Sequence, residues 1–95
     1  MPDLVALVHD PAHATFRELD LRHGAAKGSA FRAFKALGAR LVEGRDFHCC
    51  DSRDDELLFE VLYASGRLYP GTVNGVLLAP AAQAAIAALL ASPEA

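Results

Sequence analysis

Turn-forming residues cut this sequence into short pieces, and that spacing restricts it to brief helices and strands that must pack on one another. The breaks are Asp10-Pro11, Gly24, the run Glu43-Gly44-Arg45-Asp46, Gly66, Tyr69-Pro70-Gly71 and Pro80. Leu4 to Val8, read LVALV, is a short apolar run with two valines and is expected as a strand. Asp10 can accept bonds from free amides and Pro11 suits a first helical position, so a helix is expected from about Pro11 to His23, with Ala12, Phe16 and Leu19 buried. Gly24 ends it.

Ser29 is the expected cap of a second helix, running to about Leu37 or Arg40. With Phe34 at the centre of its buried stripe, Ala30, Phe31, Leu37 and Leu41 fall within about 60° on a helical wheel. Ser29, Arg32, Ala33, Lys35, Ala36 and Arg40 take the opposite arc. Phe47 to Cys50 reads as a strand. Ser52 and Asp55 resemble a capping box for a helix from Asp54 to Ser65 that buries Leu57, Leu58, Val61 and Leu62. Thr72 to Leu78 is a third strand, with Asn74-Gly75 as a bulge or tight turn, and Pro80 opens an alanine-rich helix to about Ala91. Strands and helices in this order, with no repeat or linker, predict one small α+β domain over residues 1–95.

Charge is distributed unevenly. The chain carries nine Lys and Arg against twelve Asp and Glu, a net charge of -3. Yet Leu21 to Val42 holds Arg22, Lys27, Arg32, Lys35 and Arg40 and no carboxylate, a local +5, which leaves -8 for the remainder. A polyanion-facing surface on a separate acidic body is the expectation. No apolar run approaches the roughly 20 residues that cross a bilayer, and MPDLVALVHD lacks the basic start of a signal peptide. The expected setting is the cytoplasm, with no membrane contact.

The residues Glu18-Leu19-Asp20-Leu21-Arg22-His23-Gly24-Ala25-Ala26-Lys27-Gly28-Ser29-Ala30-Phe31-Arg32-Ala33-Phe34 resemble the helix-turn-helix of bacterial regulators, with Leu19 and Gly24 in matching places and Ala30, Phe31 and Phe34 turned inward. The later stretches LVEGRDFHCC and GTVNGVLLAPAAQAAI are similar to the strands and closing helix of winged variants, in particular the amino-terminal domains of phage antirepressor-type proteins. The resemblance implies a winged-helix-like fold and a non-enzymatic, regulatory protein that binds double-stranded DNA. Two departures stand out. Asp20 occupies a position where the motif prefers a small residue, and a helix is inserted before the last strand.

In that reading Arg32 and Lys35, about 60° apart on the exposed arc, reach phosphates or guanine edges, while Arg22, Lys27 and Arg40 contact backbone phosphate. Ser29 and the free amides of its helix start hold one phosphate. Three other features have bland explanations. Lys27-Gly28-Ser29 lacks the rest of a phosphate loop. Adjacent Cys49 and Cys50 alternate faces on a strand, so His48-Cys49-Cys50 reads as buried thiols, with a metal- or thiol-linked accessory protein as a third alternative. Asp51, Asp54, Asp55 and Glu56 suit a helix start better than a catalytic pair. No catalytic residue, cofactor or metal ligand is expected. The second alternative is a protein-interaction or adaptor module, in which the basic helix docks an acidic partner or the apolar C-terminal helix forms a homodimer. Tyr63, Arg67 and Tyr69 are expected either to edge the DNA backbone or to cover the core and make a dimer or partner surface.

Overall fold

The computed structural model describes residues 4–51, 56–72 and 74–91. The chain is an α+β domain with five α-helices and one two-stranded antiparallel sheet among these residues. Helices α1 (Leu4–His9), α2 (Phe16–Arg22) and α3 (Ser29–Leu37) come first, followed by a 3-10 turn at Gly38–Arg40. Strand β1 (Phe47–Asp51), helix α4 (Glu56–Ala64), strand β2 (Asn74–Leu78) and helix α5 (Pro80–Leu90) complete the order.

The sheet is covered on both faces, which explains why β2 reads NGVLL rather than alternating apolar with polar. Phe47 pairs with Leu78, His48 with Leu77, Cys49 with Val76 and Cys50 with Gly75. Successive side chains point to opposite faces. Phe47, Val76 and Leu78 therefore pack with Ala30, Ala33 and Leu37 of α3 and Ala82 and Ile86 of α5. Cys50 and Leu77 pack on the other side with Val8 of α1, Leu62 of α4 and Leu68. Leu77 and Leu78 are adjacent in sequence, lie in different clusters, and are both fully buried.

The first expected strand is a helix. A run as short as LVALV cannot be assigned by periodicity, because a buried strand and a buried helical turn show the same pattern. The place beside β2 is taken instead by Ala14, whose amide donates to Leu78 O at 3.1 Å while Leu78 N donates back at 2.7 Å. The six-residue α1 would be marginal alone. It is held by Val8, which is buried against α4.

Helix α2 begins at Phe16 and not at Pro11. Thr15 is its N-cap, with Glu18 N donating to Thr15 Oγ1 at 3.2 Å and Thr15 N donating to Glu18 Oε1 at 2.9 Å, a capping box. Asp10 makes a local turn, accepting from Ala12 N at 2.8 Å, and Ala12 is exposed. Residues between that turn and Thr15 stay non-helical to form the Ala14 bridge.

On α3 the buried stripe is rotated from the expected one. Ala33 is buried and Phe31 is 47% exposed, because α3 meets α5 through small residues and brings Ala30, Ala33 and Leu37 to the contact. Asn74-Gly75 is neither bulge nor turn but lies in regular register, and a Cβ on Gly75 would stand 2.6 Å from Cys50 O. On α4, Leu62 is buried as expected, whereas Leu57 and Val61 are exposed. The Ser52–Asp55 box and the start of the helix expected from Asp54 lie outside the described residues. The C-terminal helix buries Ala82 and Ile86 within the chain.

Candidate nucleic-acid interface

Asp20 fixes the relation between α2 and α3. Helix α2 ends with Gly24 in the left-handed region at φ +61°, Ala25 N donating to Asp20 O at 2.8 Å and Gly24 N to Leu21 O at 3.3 Å, a Schellman arrangement. The chain then runs to Gly28, at φ +89°, which is the N-cap of α3 and has no side chain to offer. The missing cap comes from the preceding helix. Asp20, 1% exposed, accepts from Ala30 N at 2.8 Å through Oδ1 and from Gly28 N at 2.9 Å through Oδ2. Tyr69 O–H donates to the same Oδ2. Asp20 is thus the anion at the positive end of α3, and its burial is compensated by hydrogen bonds and the helix dipole.

This bears on two features of the sequence. Asp20, where the motif prefers a small residue, ties α2 to the start of α3. Ser29 is the first residue of α3 rather than its cap; its amide donates to Ala26 O at 3.0 Å, and the Gly28 and Ala30 amides already belong to Asp20. The helix start therefore has an occupant, and Ser29 with those amides does not form a vacant phosphate cradle. Ser29 Oγ instead lies 3.4 Å from Arg32 Nη2, which donates to it.

Polar bonds between α2 and the turn that follows α4 hold this unit to the body. Thr15 Oγ1 donates to Arg67 O, and Arg17 Nη1 donates to Gly66 O at 3.0 Å and Leu68 O at 3.2 Å. Arg67 pairs with Glu18 Oε1 at 2.9 Å through Nη2 and 3.0 Å through Nε, and donates to the carbonyls of Val8 and His13. Tyr69 carries the Arg17 guanidinium 5.6 Å and the Lys27 ammonium 5.1 Å from its ring centroid. Burial, reinforced by the bond to the Asp20 carboxylate, pushes the Tyr69 hydroxyl up to about 12. Arg67 and Tyr69 are therefore internal ties and not the edge of a binding surface. Tyr63 is exposed and its hydroxyl accepts from Gly71 N at 3.2 Å.

The five cations of the acid-free segment all lie at exposed positions: Arg22 on α2, Lys27 in the turn, Arg32 and Lys35 on α3, Arg40 in the 3-10 turn. Among the described residues the ion pairs are His13–Asp10, Arg45–Asp46 and Arg67–Glu18, and none includes these five. Arg22 Nη1 donates to the neutral Gln83 Oε1 on α5 at 3.0 Å, and Lys35 Nζ stands 5.9 Å from the Phe31 ring centroid. The paired arginines, Arg45 and Arg67, lie outside the segment. The Arg45 guanidinium, with the Val42 amide, holds the Asp46 carboxyl below its ordinary range.

Phe31 is the residue of this face that sequence reasoning turned the wrong way. The wheel placed it inward, and only the alanine contact between α3 and α5 shows why it faces out. The buried His48 ring lies 6.1 Å from that of His13, whose Nδ1 is 3.3 Å from Asp10 Oδ2 without hydrogen-bond geometry. Of the two thiols expected to be buried, Cys50 is buried but Cys49 is exposed, because alternation along β1 turns it to the other face; no three His, Cys, Asp or Glu side chains converge as a metal site among the described residues. No described helix is long and apolar enough to cross a membrane. Compared with known proteins, the chain matches no protein-family model, no curated protein and no solved structure.

Proposed function

We propose that the α2–turn–α3 unit binds double-stranded DNA, and that the protein acts as a small, non-enzymatic regulatory DNA-binding domain. The observation that carries the reading is the set of five exposed cations, none in an ion pair among the described residues, on one acid-free segment. Arg32 and Lys35 on the exposed side of α3 are the residues for the groove; Arg22, Lys27 and Arg40 flank them toward backbone phosphate. The Asp20 cap supports the reading because it orients α3 without using any of these cations. Strands β1 and β2 are joined through α4 rather than by the short hairpin of a wing.

Fluorescence anisotropy of a labelled random duplex across a salt series tests this. Contact with about three to five phosphates predicts a log-log slope of roughly -3 to -5 at about 0.9 per phosphate. The Arg32→Glu/Lys35→Glu variant should lose most of that slope. Absence of binding by the wild-type chain at low salt would remove the reading.

A second reading, a protein-interaction module, is favoured by the surface of α4, where Leu57 is 78% exposed and Val61 and Tyr63 are also exposed. Its test is light scattering, in which association that Leu57→Ser/Val61→Ser abolishes would support it.

A further inference from the structure

We infer that Phe31 is a base-reading residue of the basic face, and that it contacts the C5-methyl group of thymine in the major groove; this rests on the DNA-binding reading above. Phe31 is nearly half exposed on α3, beside Arg32 and one helical turn before Lys35. Its position is set from below. It meets Phe16 edge to face at 5.5 Å between centroids, Phe16 meets Phe34 at 5.2 Å, and Phe34 meets Phe47 of the sheet at 4.9 Å. A phenyl ring anchored through such a series cannot fold away from an approaching ligand without disturbing the core.

The ligand chemistry follows from the neighbours. Arg32, Lys35 and the flanking cations attract a polyanion, while Phe31 adds an exposed apolar ring beside Lys35 on the outward arc of α3. A convex helix of this kind suits a major groove, and the apolar group presented there is the thymine methyl. The Lys35 ammonium stands over the Phe31 ring, so a base could stack on that side only by displacing it. That arrangement favours contact with a groove-borne methyl over stacking on an unpaired base. Transfer of one methyl from water is worth about a fourfold change in affinity for each thymine contacted.

The test is a cycle of two proteins and two duplexes. Wild type and Phe31→Ala are titrated against an alternating A·T duplex and against the same duplex with deoxyuridine in place of thymidine, which removes only the methyl groups. Wild type should prefer the thymine duplex by about fourfold or more, and Phe31→Ala should show no preference while keeping its salt slope. Phe31→Leu, which retains an apolar side chain, should keep part of the preference, and far-UV circular dichroism of each variant confirms the fold. Equal affinity of the wild type for both duplexes overturns the inference and leaves the DNA-binding reading intact. Tighter binding of single-stranded oligo(dT) than of duplex, lost in Phe31→Ala, overturns it in favour of stacking. Failure to bind any of these probes removes both readings.

Discussion

Replacing Asp20 with asparagine isolates the charge and acceptor pattern that join α2 to α3 while leaving the side-chain shape nearly unchanged. The carboxylate accepts from Ala30 N through one oxygen and from Gly28 N and Tyr69 O–H through the other. An asparagine can present its carbonyl oxygen to Ala30, but its NH2 group then faces two donors. Tyr69 can rotate its hydroxyl to accept. The part-buried Gly28 amide cannot, and leaving such a donor orphaned costs about 1–3 kcal/mol. Loss of the negative charge at the start of α3 adds about 0.3–1 kcal/mol. The expected destabilisation is therefore about 2–3 kcal/mol. A chain of this length has roughly 5–14 kcal/mol in total. The melting temperature should fall by about 10–20 °C. Urea unfolding followed by circular dichroism should show a lower midpoint at unchanged slope. Asp20→Ala, which removes every acceptor, should lose about 3–5 kcal/mol. An asparagine variant within about 0.5 kcal/mol of the wild type, the ordinary range for an inconsequential surface change, would refute the reasoning.

Other consequences are open to direct measurement. In a Tyr63→Phe background, ultraviolet titration should find Tyr69 ionising near 12 and Asp20→Asn should lower that value; ionisation near the ordinary 10 would contradict its burial against Asp20. Because the folded value lies above the unfolded one, the stability contributed by neutral Tyr69 is complete below pH 10 and lost as pH rises toward 12. Asp46 works in the opposite sense, since the Arg45 guanidinium and the Val42 amide lower its pKa. Its contribution is present above the unfolded value of 3.8 and declines below it, so exchange protection of the Val42 amide should weaken in that acid range first. Gly75→Ala should cost about 1–3 kcal/mol or prevent folding, because its Cβ meets the fixed Cys50 carbonyl rather than a movable side chain. Arg67→Ala should cost roughly 1–3 kcal/mol in chemical unfolding, since it leaves the part-buried Glu18 carboxylate with only its bond from Thr15 N and removes the donor to the carbonyls of Val8 and His13.

Local chemistry in the sequence was legible where it was complete. Gly24 and Gly66 ended their helices, Pro80 began α5, and Phe47–Cys50 was recognisable as strand because each signal sits within a few residues of its effect. The capping box at Thr15 and Glu18 was equally local and could have been read; the more familiar Asp10-Pro11 pair obscured it. Leu4–Val8 differed in kind, since only the prior occupation of the β2 edge by Ala14 decides between helix and strand there. The outward turn of Phe31 depends on alanines of α5 about fifty residues away in sequence, and the third bond to the Asp20 carboxylate comes from Tyr69, 49 residues away. Neither leaves a local trace. The basic segment itself was visible from charge alone, but the exposure of its cations and their lack of ion pairs among the described residues required the positions of the carboxylates.

The ties that hold α2 have a consequence for how the chain acquires its shape. Tyr69 reaches Asp20 across 49 residues, Arg17 reaches Leu68 across 51, and Arg67 reaches Val8 across 59. Each closes a long loop, and that entropy must be met before the bond can form. A peptide containing only the two basic helices would lack Tyr69, Arg67 and the α5 surface, and so would have the charges without a fixed orientation between them. During synthesis the cations emerge before the residues that orient their helices, which run from Arg67 to the end of α5.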